Sequence, residues 1–224
     1  MGVSRMIHHS VKTRLAVFLA LLLACVPVLL PVQAQERFQA GMHYRVLEQP
    51  LVTAVPEGSI EVREFFSYAC TYCNQFYPLM NQYMASAASD VVLVHQPMIF
   101  RADWEPLARA YLVQQVLDID AGVHDAMFVA IHEENRRFRS EEDLWAFIAE
   151  RGGVSESSVG DAWSGFEVET LLRRNEQLAR QVGVTGTPSL LVNGRYYVDG
   201  RMVGSLDGIL QVVDFLVDRE RRAQ

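Results

Sequence analysis

Two cysteines, Cys70 and Cys73, are separated by Thr71 and Tyr72. Thiols at this spacing can be joined into a disulfide and parted again, so the pair can carry two electrons without a cofactor. The nucleophile in such chemistry is the thiolate, and its pKa sets how much of it is present. The upstream run Glu61-Val62-Arg63-Glu64-Phe65-Phe66 reads as strand, and the cysteines open a helical pattern. Unpaired N–H groups and the macrodipole at a helix's first turn favour negative charge, so Cys70 is expected to ionise more readily than a free cysteine. Cys73 lies about one turn deeper. A bridge closing so short a loop adds little stability through chain entropy, which favours chemistry over stapling. Zinc is disfavoured, because no second cysteine pair or close histidine pair supplies further ligands.

The elements that must position these sulfurs can be read along the chain. Residues 44–47 form a short strand, and Pro50 and Pro56 mark the connection that follows. Residues 60–66 are the first strong strand. The helix opened by the cysteines spans about 70–88, with Phe76, Leu79, Met80, Tyr83 and Met84 on one face and a kink expected at Pro78. Val91-Val92-Leu93-Val94 is a buried-strand run, ended or bent by Pro97. Residues 104–180 are helical almost throughout. One helix is marked by Leu107, Ala108, Tyr111 and Leu112, and a second by residues 123–131. A third opens on the capping box Ser140-Glu141-Glu142-Asp143 and ends near Gly152-Gly153. A long fourth carries Val168, Leu171, Leu172, Leu178 and Val182 and is closed by Gly183. Ser189-Leu190-Leu191-Val192, the hairpin signal Asn193-Gly194 and Arg195-Tyr196-Tyr197-Val198 make two paired strands. Residues 205–216 form a last amphipathic helix with a charged tail. The order is β-β-α-β, a helical block, then β-β-α.

The N-terminus carries Arg5, Lys12 and Arg14 ahead of a nearly unbroken apolar run from Leu15 to Leu30, then Pro31-Val32-Gln33-Ala34. This reads as a secretory signal peptide over residues 1–34, cleaved after Ala34. A membrane anchor is the alternative, but the run is shorter than the roughly 18 residues of a spanning helix and Pro27 interrupts it. Leu22-Leu23-Ala24-Cys25 loosely resembles a lipobox, with Leu23 a poor fit. The leader holds three of the 20 basic residues and none of the 27 acidic ones, so its removal takes the net charge from −7 to −10. Such a balance argues against nucleic acid or an anionic membrane surface as partner. Export to an oxidising space suits a reversible cysteine pair. Nothing in the sequence demands more than a monomer.

Glu64-Phe65-Phe66-Ser67-Tyr68-Ala69-Cys70-Thr71-Tyr72-Cys73 resembles the active-site segment of the DsbA family of periplasmic thiol–disulfide oxidoreductases. Gly183-Val184-Thr185-Gly186-Thr187-Pro188 resembles that family's second motif. The resemblance implies an α/β, thioredoxin-like fold with an inserted all-helical domain: residues 35–100 and 183–224 for the former, 101–182 for the latter. It implies Cys70 as the attacking sulfur and Cys73 as the resolving one. It also implies a cis bond at Thr187–Pro188, with both residues beside the cysteines where an extended substrate peptide pairs with backbone. The implied substrates are reduced or unfolded secreted proteins, the implied reoxidant is a DsbB-type membrane protein, and the implied location is the periplasm. No organic cofactor or metal is implied. Thr71 and Tyr72 depart from the Pro-His of the family's best-known members, so a higher Cys70 pKa and a more reducing couple are expected here.

Glu64 interrupts a strand that should be buried on both faces. It is either a solvated edge position or, as the matching family position implies, a carboxylate near Cys73 that relays protons. His43, His95, His124 and His132 are scattered and show no ligand spacing with the cysteines, and His124 with Phe128 reads as packing. Trp104, Trp145 and Trp163 read as core anchors of the helical block, and Arg136-Arg137 as a solvated face. Two other functions stay open: a less oxidising reductase or isomerase on the same fold, and a peptide-holding chaperone. No separate N-terminal dimerisation domain is seen, which speaks against an isomerase.

Overall fold

The computed structural model describes residues 36–224; the leader and Cys25 lie outside them. Phe38–Gln224 packs as one unit. Its strands are β1 (Arg45–Val46), β2 (Ile60–Phe66), β3 (Val91–Pro97), β4 (Ser189–Val192) and β5 (Tyr196–Asp199). They form one sheet in the order β1-β5-β4-β2-β3. The β2–β3 pair is parallel and the other pairs are antiparallel. A parallel neighbour needs a crossover, and the helix opened by the cysteines, α1 (Thr71–Ser86), supplies it. Pro78 sits within α1 and the helix continues through it.

β2 is central and buried at all seven positions. Its alternating side chains therefore serve two faces. Ile60 and Val62 join Leu190, Val192 and Val198 against α1 and the C-terminal helix α8 (Leu206–Arg221), through Phe76, Met80, Ile209, Val213 and Leu216. Phe65, Leu191 and Tyr197 face the other way, onto Ala179 and Val182. The buried carboxylate of Glu61 on that strand is matched by Arg63 at 2.8 Å and by the backbone N–H of Ala54 at 2.6 Å.

Between β3 and β4 the chain is helical. A short 3-10 turn (Ala102–Trp104) leads into α2 (Glu105–Val116), α3 (Gly122–Phe128), α4 (Glu141–Gly152), α5 (Glu156–Trp163) and α6 (Phe166–Val182). The α3 helix loosens into a π-helical turn over Val129–Glu133. The Ser140 side chain caps α4 by accepting from the Asp143 N–H, and Gly153 and Gly183 close α4 and α6 in the left-handed conformation. The α5 helix falls between the third and fourth helices read from periodicity and belongs to neither. The α8 helix runs on through the charged tail to Arg221, whose guanidinium is tied to Asp90 at 2.7 Å. A four-residue helix, α7 (Gly200–Val203), follows β5.

The core of this block includes Leu112, Met127, Phe147, Val159 and Trp163, and it reaches Phe66, Tyr68 and Cys73. The block thus packs directly against the end of β2 and the start of α1. Phe66 is 1 % exposed and meets Tyr68, Tyr111 and His124 edge-on at 5.1–5.2 Å. Burial of such a ring contributes about 1.5–3 kcal/mol, so this junction is firmly held. Among the described residues no helix is long and apolar enough to cross a membrane.

Candidate active site

The Ser67-Tyr68-Ala69 loop carries the chain from β2 into α1. It is fixed from three sides. Cys70 N–H donates to the Ser67 carbonyl at 3.1 Å. Ala69 N–H donates to Ser67 Oγ at 3.2 Å. His132 Nε2–H, on the π-helical turn, donates to the Tyr68 carbonyl at 2.7 Å. Cys70 is thereby held as the N-cap residue of α1, with extended backbone and its Sγ accepting from the Cys73 N–H at 3.4 Å. The sulfur does the work that a serine or aspartate oxygen does at other helix starts.

Both cysteines are present as free thiols, Cys70 half-buried and Cys73 fully buried. The hydrogen bond with the Cys73 thiol is the largest influence on Cys70. Together with the Thr187 side chain and the N–H groups of Cys73 and Tyr72, it outweighs burial and lowers the Cys70 pKa to about 6. At pH 7 roughly nine-tenths of Cys70 is thiolate. Cys73 goes the other way. Burial, its bond to Cys70 and the nearby charges of Cys70 and Glu64 push its thiol well above the ordinary value. One sulfur is a ready nucleophile and leaving group; the other holds its proton.

The Thr187–Pro188 bond is cis, as the motif implied. It brings the Thr187 carbonyl to 3.4 Å from Cys70 Sγ. Beside it runs a groove of about 440 Å³, lined by Tyr72, Thr187, Pro188, Arg201 and Leu206 among others. Thr71 and Tyr72 are exposed, Tyr72 by 63 %, while Pro188 is buried at the groove's floor. The site residues read from the two motifs therefore converge.

Glu64 is 2 % exposed on the central strand, which rules out the solvated edge position. Its charge is felt at Cys73. It is register-paired with His95 on β3, whose Nδ1 lies 3.1 Å from Glu64 Oε2. The scattered histidines are thus not all scattered in space. His95 and His124 stand 4.6 Å apart between ring centres, and Tyr68 O–H and His124 Nδ1 are 2.7 Å apart. This cluster went unread because it needs the β2–β3 register and the docking of α3, neither of which local pattern encodes. The packing contact of His124 with Phe128 is present, at 5.3 Å. Trp145 and Trp163 meet at 6.1 Å inside the helical block, while Trp104 is half-buried against the exposed Phe100. Arg136 and Arg137 are exposed, and the Arg136 guanidinium covers Phe147 at 4.8 Å. No group of three or more His, Cys, Asp or Glu among the described residues could hold a metal ion.

Residues 99–211 match the family model for the DSBA-like thioredoxin domain. The thiol:disulfide interchange protein DsbA of Pseudomonas syringae pv. tomato is 33 % identical over 191 residues, covering 85 % of this chain and 88 % of its own. That of Bordetella parapertussis is 32 % identical over 185 residues, covering 82 % and 87 %. The crystal structure of the oxidoreductase DsbA from Xylella fastidiosa superposes with a TM-score of 0.76 at 34 % identity, covering 83 % of this chain and 98 % of its own. That of Pseudomonas aeruginosa DsbA gives 0.75 at 30 % identity, covering 83 % and 96 %. With a sulfur-capped helix, a five-stranded sheet interrupted by a helical insert, and relatives matched over most of their length, the chain belongs to the DsbA family of thiol–disulfide oxidoreductases.

Proposed function

We propose that this enzyme donates the Cys70–Cys73 disulfide to thiol pairs of proteins exported to the periplasm, where the leader over residues 1–34 would send it. The observation that carries the reading is the division of labour between the sulfurs: Cys70 is held as an anion at a groove, and Cys73 is a buried thiol. A substrate thiolate attacks Cys70 Sγ of the oxidised enzyme and breaks the Cys70–Cys73 bond. Cys73 leaves with the electron pair and takes up a proton. A second substrate thiolate then attacks the substrate sulfur of the mixed disulfide. The substrate departs oxidised, and Cys70 departs as the stabilised thiolate. Two electrons pass to the enzyme in each cycle, and a DsbB-type membrane protein removes them. Because the reduced form keeps a stable anion, the disulfide form is the better oxidant.

In this reading Thr187 and Pro188 hold an extended substrate segment, Thr71 and Tyr72 tune the couple, and Glu64 exchanges the Cys73 proton. The helical insert, residues 101–182, closes over the site from the Phe66 side. A less oxidising direction is favoured by one feature, the neutral Thr71 and Tyr72 between the sulfurs.

Equilibration with glutathione at fixed ratios tests the direction. An enzyme still reduced where ordinary protein disulfides stay oxidised supports donation; an enzyme that stays oxidised there supports the reductase reading. Alkylating both sulfurs separates enzyme from chaperone. Loss of thiol oxidation with no residual protection of unfolded substrate supports the enzyme, and protection that survives supports holding.

A further inference from the structure

We propose that His95 is the proton port of the buried carboxylate Glu64, passing the proton exchanged at Cys73 between Glu64 and solvent. The inference rests on the reading of Glu64 as the group that exchanges the Cys73 proton.

A relay must be refilled once in every cycle. The Glu64 side chain is 3 % exposed on the central strand and cannot be refilled directly from water. It needs a second group that touches both the carboxylate and solvent. His95 fits: it sits on the edge strand β3, its side chain is 20 % exposed, and its Nδ1 is 3.1 Å from Glu64 Oε2. Parallel pairing of Glu64 with His95 in the ladder fixes the contact through the backbone. Imidazole gains and loses a proton near neutral pH, which suits a transfer between carboxylate and solvent.

The other ionisable groups around His95 hold their protonation states. From α2, Tyr111 faces it at 6.0 Å, and burial followed by the Glu64 charge pushes that phenol up to about 12. From α3, His124 faces it at 4.6 Å, and burial drives that imidazole down to about 2. His124 Nδ1 is engaged with the Tyr68 hydroxyl, and its Nε2 has no hydrogen-bond partner among the described residues. A proton added to His124 would leave a charged ring buried without an acceptor. Tyr68, behind it, is pushed well above its ordinary value by burial. Arg63, also on β2, is committed to Glu61 and Gln96. Among the described residues, the path left for a proton entering the cluster is therefore His95, Glu64, Cys73.

The balance closes without any further reagent. When substrate thiolate breaks the Cys70–Cys73 bond, Cys73 leaves as thiolate and receives the proton of the Glu64 carboxyl group. Glu64, now a carboxylate, takes the Nδ1 proton of the His95 imidazolium. The neutral ring keeps its proton on Nε2 and, once the imidazole swings out toward solvent, is recharged from water at Nδ1. The electrons come from the substrate thiols.

The test is rapid-quench reduction of the oxidised enzyme by dithiothreitol from pH 5 to 9, read by acid quench and thiol labelling, for wild type, H95Q, H95A, E64Q and the H95Q/E64Q double variant. Glutamine at 95 keeps an N–H donor but cannot carry a proton through. H95Q is expected to slow the step roughly tenfold and to erase one inflection of the pH profile, while free imidazole restores the rate of H95A. The double variant is expected to be no slower than E64Q, as for two groups on one path. A slow E64Q beside an H95Q of wild-type profile would overturn the port and leave the relay standing. An E64Q of wild-type rate would overturn the relay itself. An H95Q that is slower by the same factor at every pH and multiplicative with E64Q, beside an H95A that imidazole does not rescue, would reduce His95 to a structural prop and overturn the proposal.

Discussion

The sulfur of Cys70 lies 3.4 Å from the carbonyl oxygen of Thr187, 117 residues further along the chain. The thiol can donate to that carbonyl, but the thiolate cannot. Once ionised, Cys70 depends on donors alone, and the Thr187 side chain is one of the groups that hold its pKa down. Thr187→Val keeps the shape and removes the hydroxyl. The Cys70 pKa is expected to rise from about 6 by roughly half a unit to one unit, and the couple to become more reducing. Thiolate absorbance against pH measures the first effect and glutathione equilibrium the second.

The two sulfurs differ enough in acidity to leave a mark on the redox potential itself. Below pH 6 the reduced enzyme carries a proton on each sulfur, so two electrons bring two protons. Above pH 6 only Cys73 keeps its proton, so two electrons bring one. The potential is expected to fall by about 60 mV per pH unit below the break and about 30 mV above it. Stability follows the same group. The folded-state pKa of Cys70 is depressed, so its contribution to the reduced form is complete above the unfolded value near 9 and is lost as pH falls toward 6. The oxidised form has no thiol to titrate. The gap in unfolding free energy between reduced and oxidised protein should therefore widen from pH 6 to pH 9. A gap independent of pH would show that the helix start does not hold the anion.

Cys73→Ala separates the two roles. Substrate attack at Cys70 still forms a mixed disulfide when the variant is pre-charged on Cys70 with a small disulfide, but no neighbouring sulfur remains to displace it. With a substrate that bears a single thiol, and so has no second thiolate to release itself, mass spectrometry is expected to show an adduct on Cys70 that persists for hours. Cys70→Ala should show none, because the sulfur it leaves is buried and holds its proton.

Much of this framework could be read from residues alone, for physical reasons that differ by element. Ile60–Phe66 was legible to the residue because β-branched and aromatic side chains fill a strand buried on both faces. Ser140, Gly153 and Gly183 marked helix ends because capping is local chemistry. The cysteines and Thr187-Pro188 were legible as motifs, and the fold brings them together as expected. Helix α5 was hidden because Ser157, Ser158 and Gly160 dilute its apolar face, and only Trp145 packed against Gly160 explains the small residue there. The end of α8 was hidden because Arg221 finds its partner, Asp90, across 131 residues. Glu64 stood out as an acid in a buried strand, but His95 could not be assigned to it: pairing depends on strand register, which period-two patterns leave open.

The Asn193-Gly194 turn was read from composition, yet the reason for its glycine is tertiary. Gly194 sits at φ +64, and a Cβ there would lie 2.2 Å from the Leu51 carbonyl oxygen. The Leu51 N–H also donates to the Gly194 carbonyl at 2.9 Å, so the loop before β2 is stitched to this hairpin. Gly194→Ala is expected to cost about 2–4 kcal/mol in urea unfolding, through the overlap more than through the backbone angle. Under native conditions its Cys70 titration should match wild type, since the turn does not touch the sulfurs. A cost below about 1 kcal/mol would mean that the two segments separate easily.

Tyr72 supplies a backbone N–H that helps hold the Cys70 anion, while its ring is 63 % exposed at the groove. Backbone and side chain can therefore be tested apart. Tyr72→His leaves the N–H in place and adds a ring that becomes cationic within one helical turn of the sulfur. A nearby positive charge favours the thiolate, so the Cys70 pKa should fall below about 6. Each unit of that fall stabilises the reduced form tenfold at pH values above the Cys70 pKa at which the new ring still carries its charge, which is about 30 mV on a two-electron couple, toward a stronger oxidant. Turnover on a reduced unfolded substrate should rise at mildly acid pH, where the cation persists, more than at pH 8. If the pKa and the potential both stay put, the side chain at this position points away from the sulfur, and tuning belongs to Thr187 and the backbone alone.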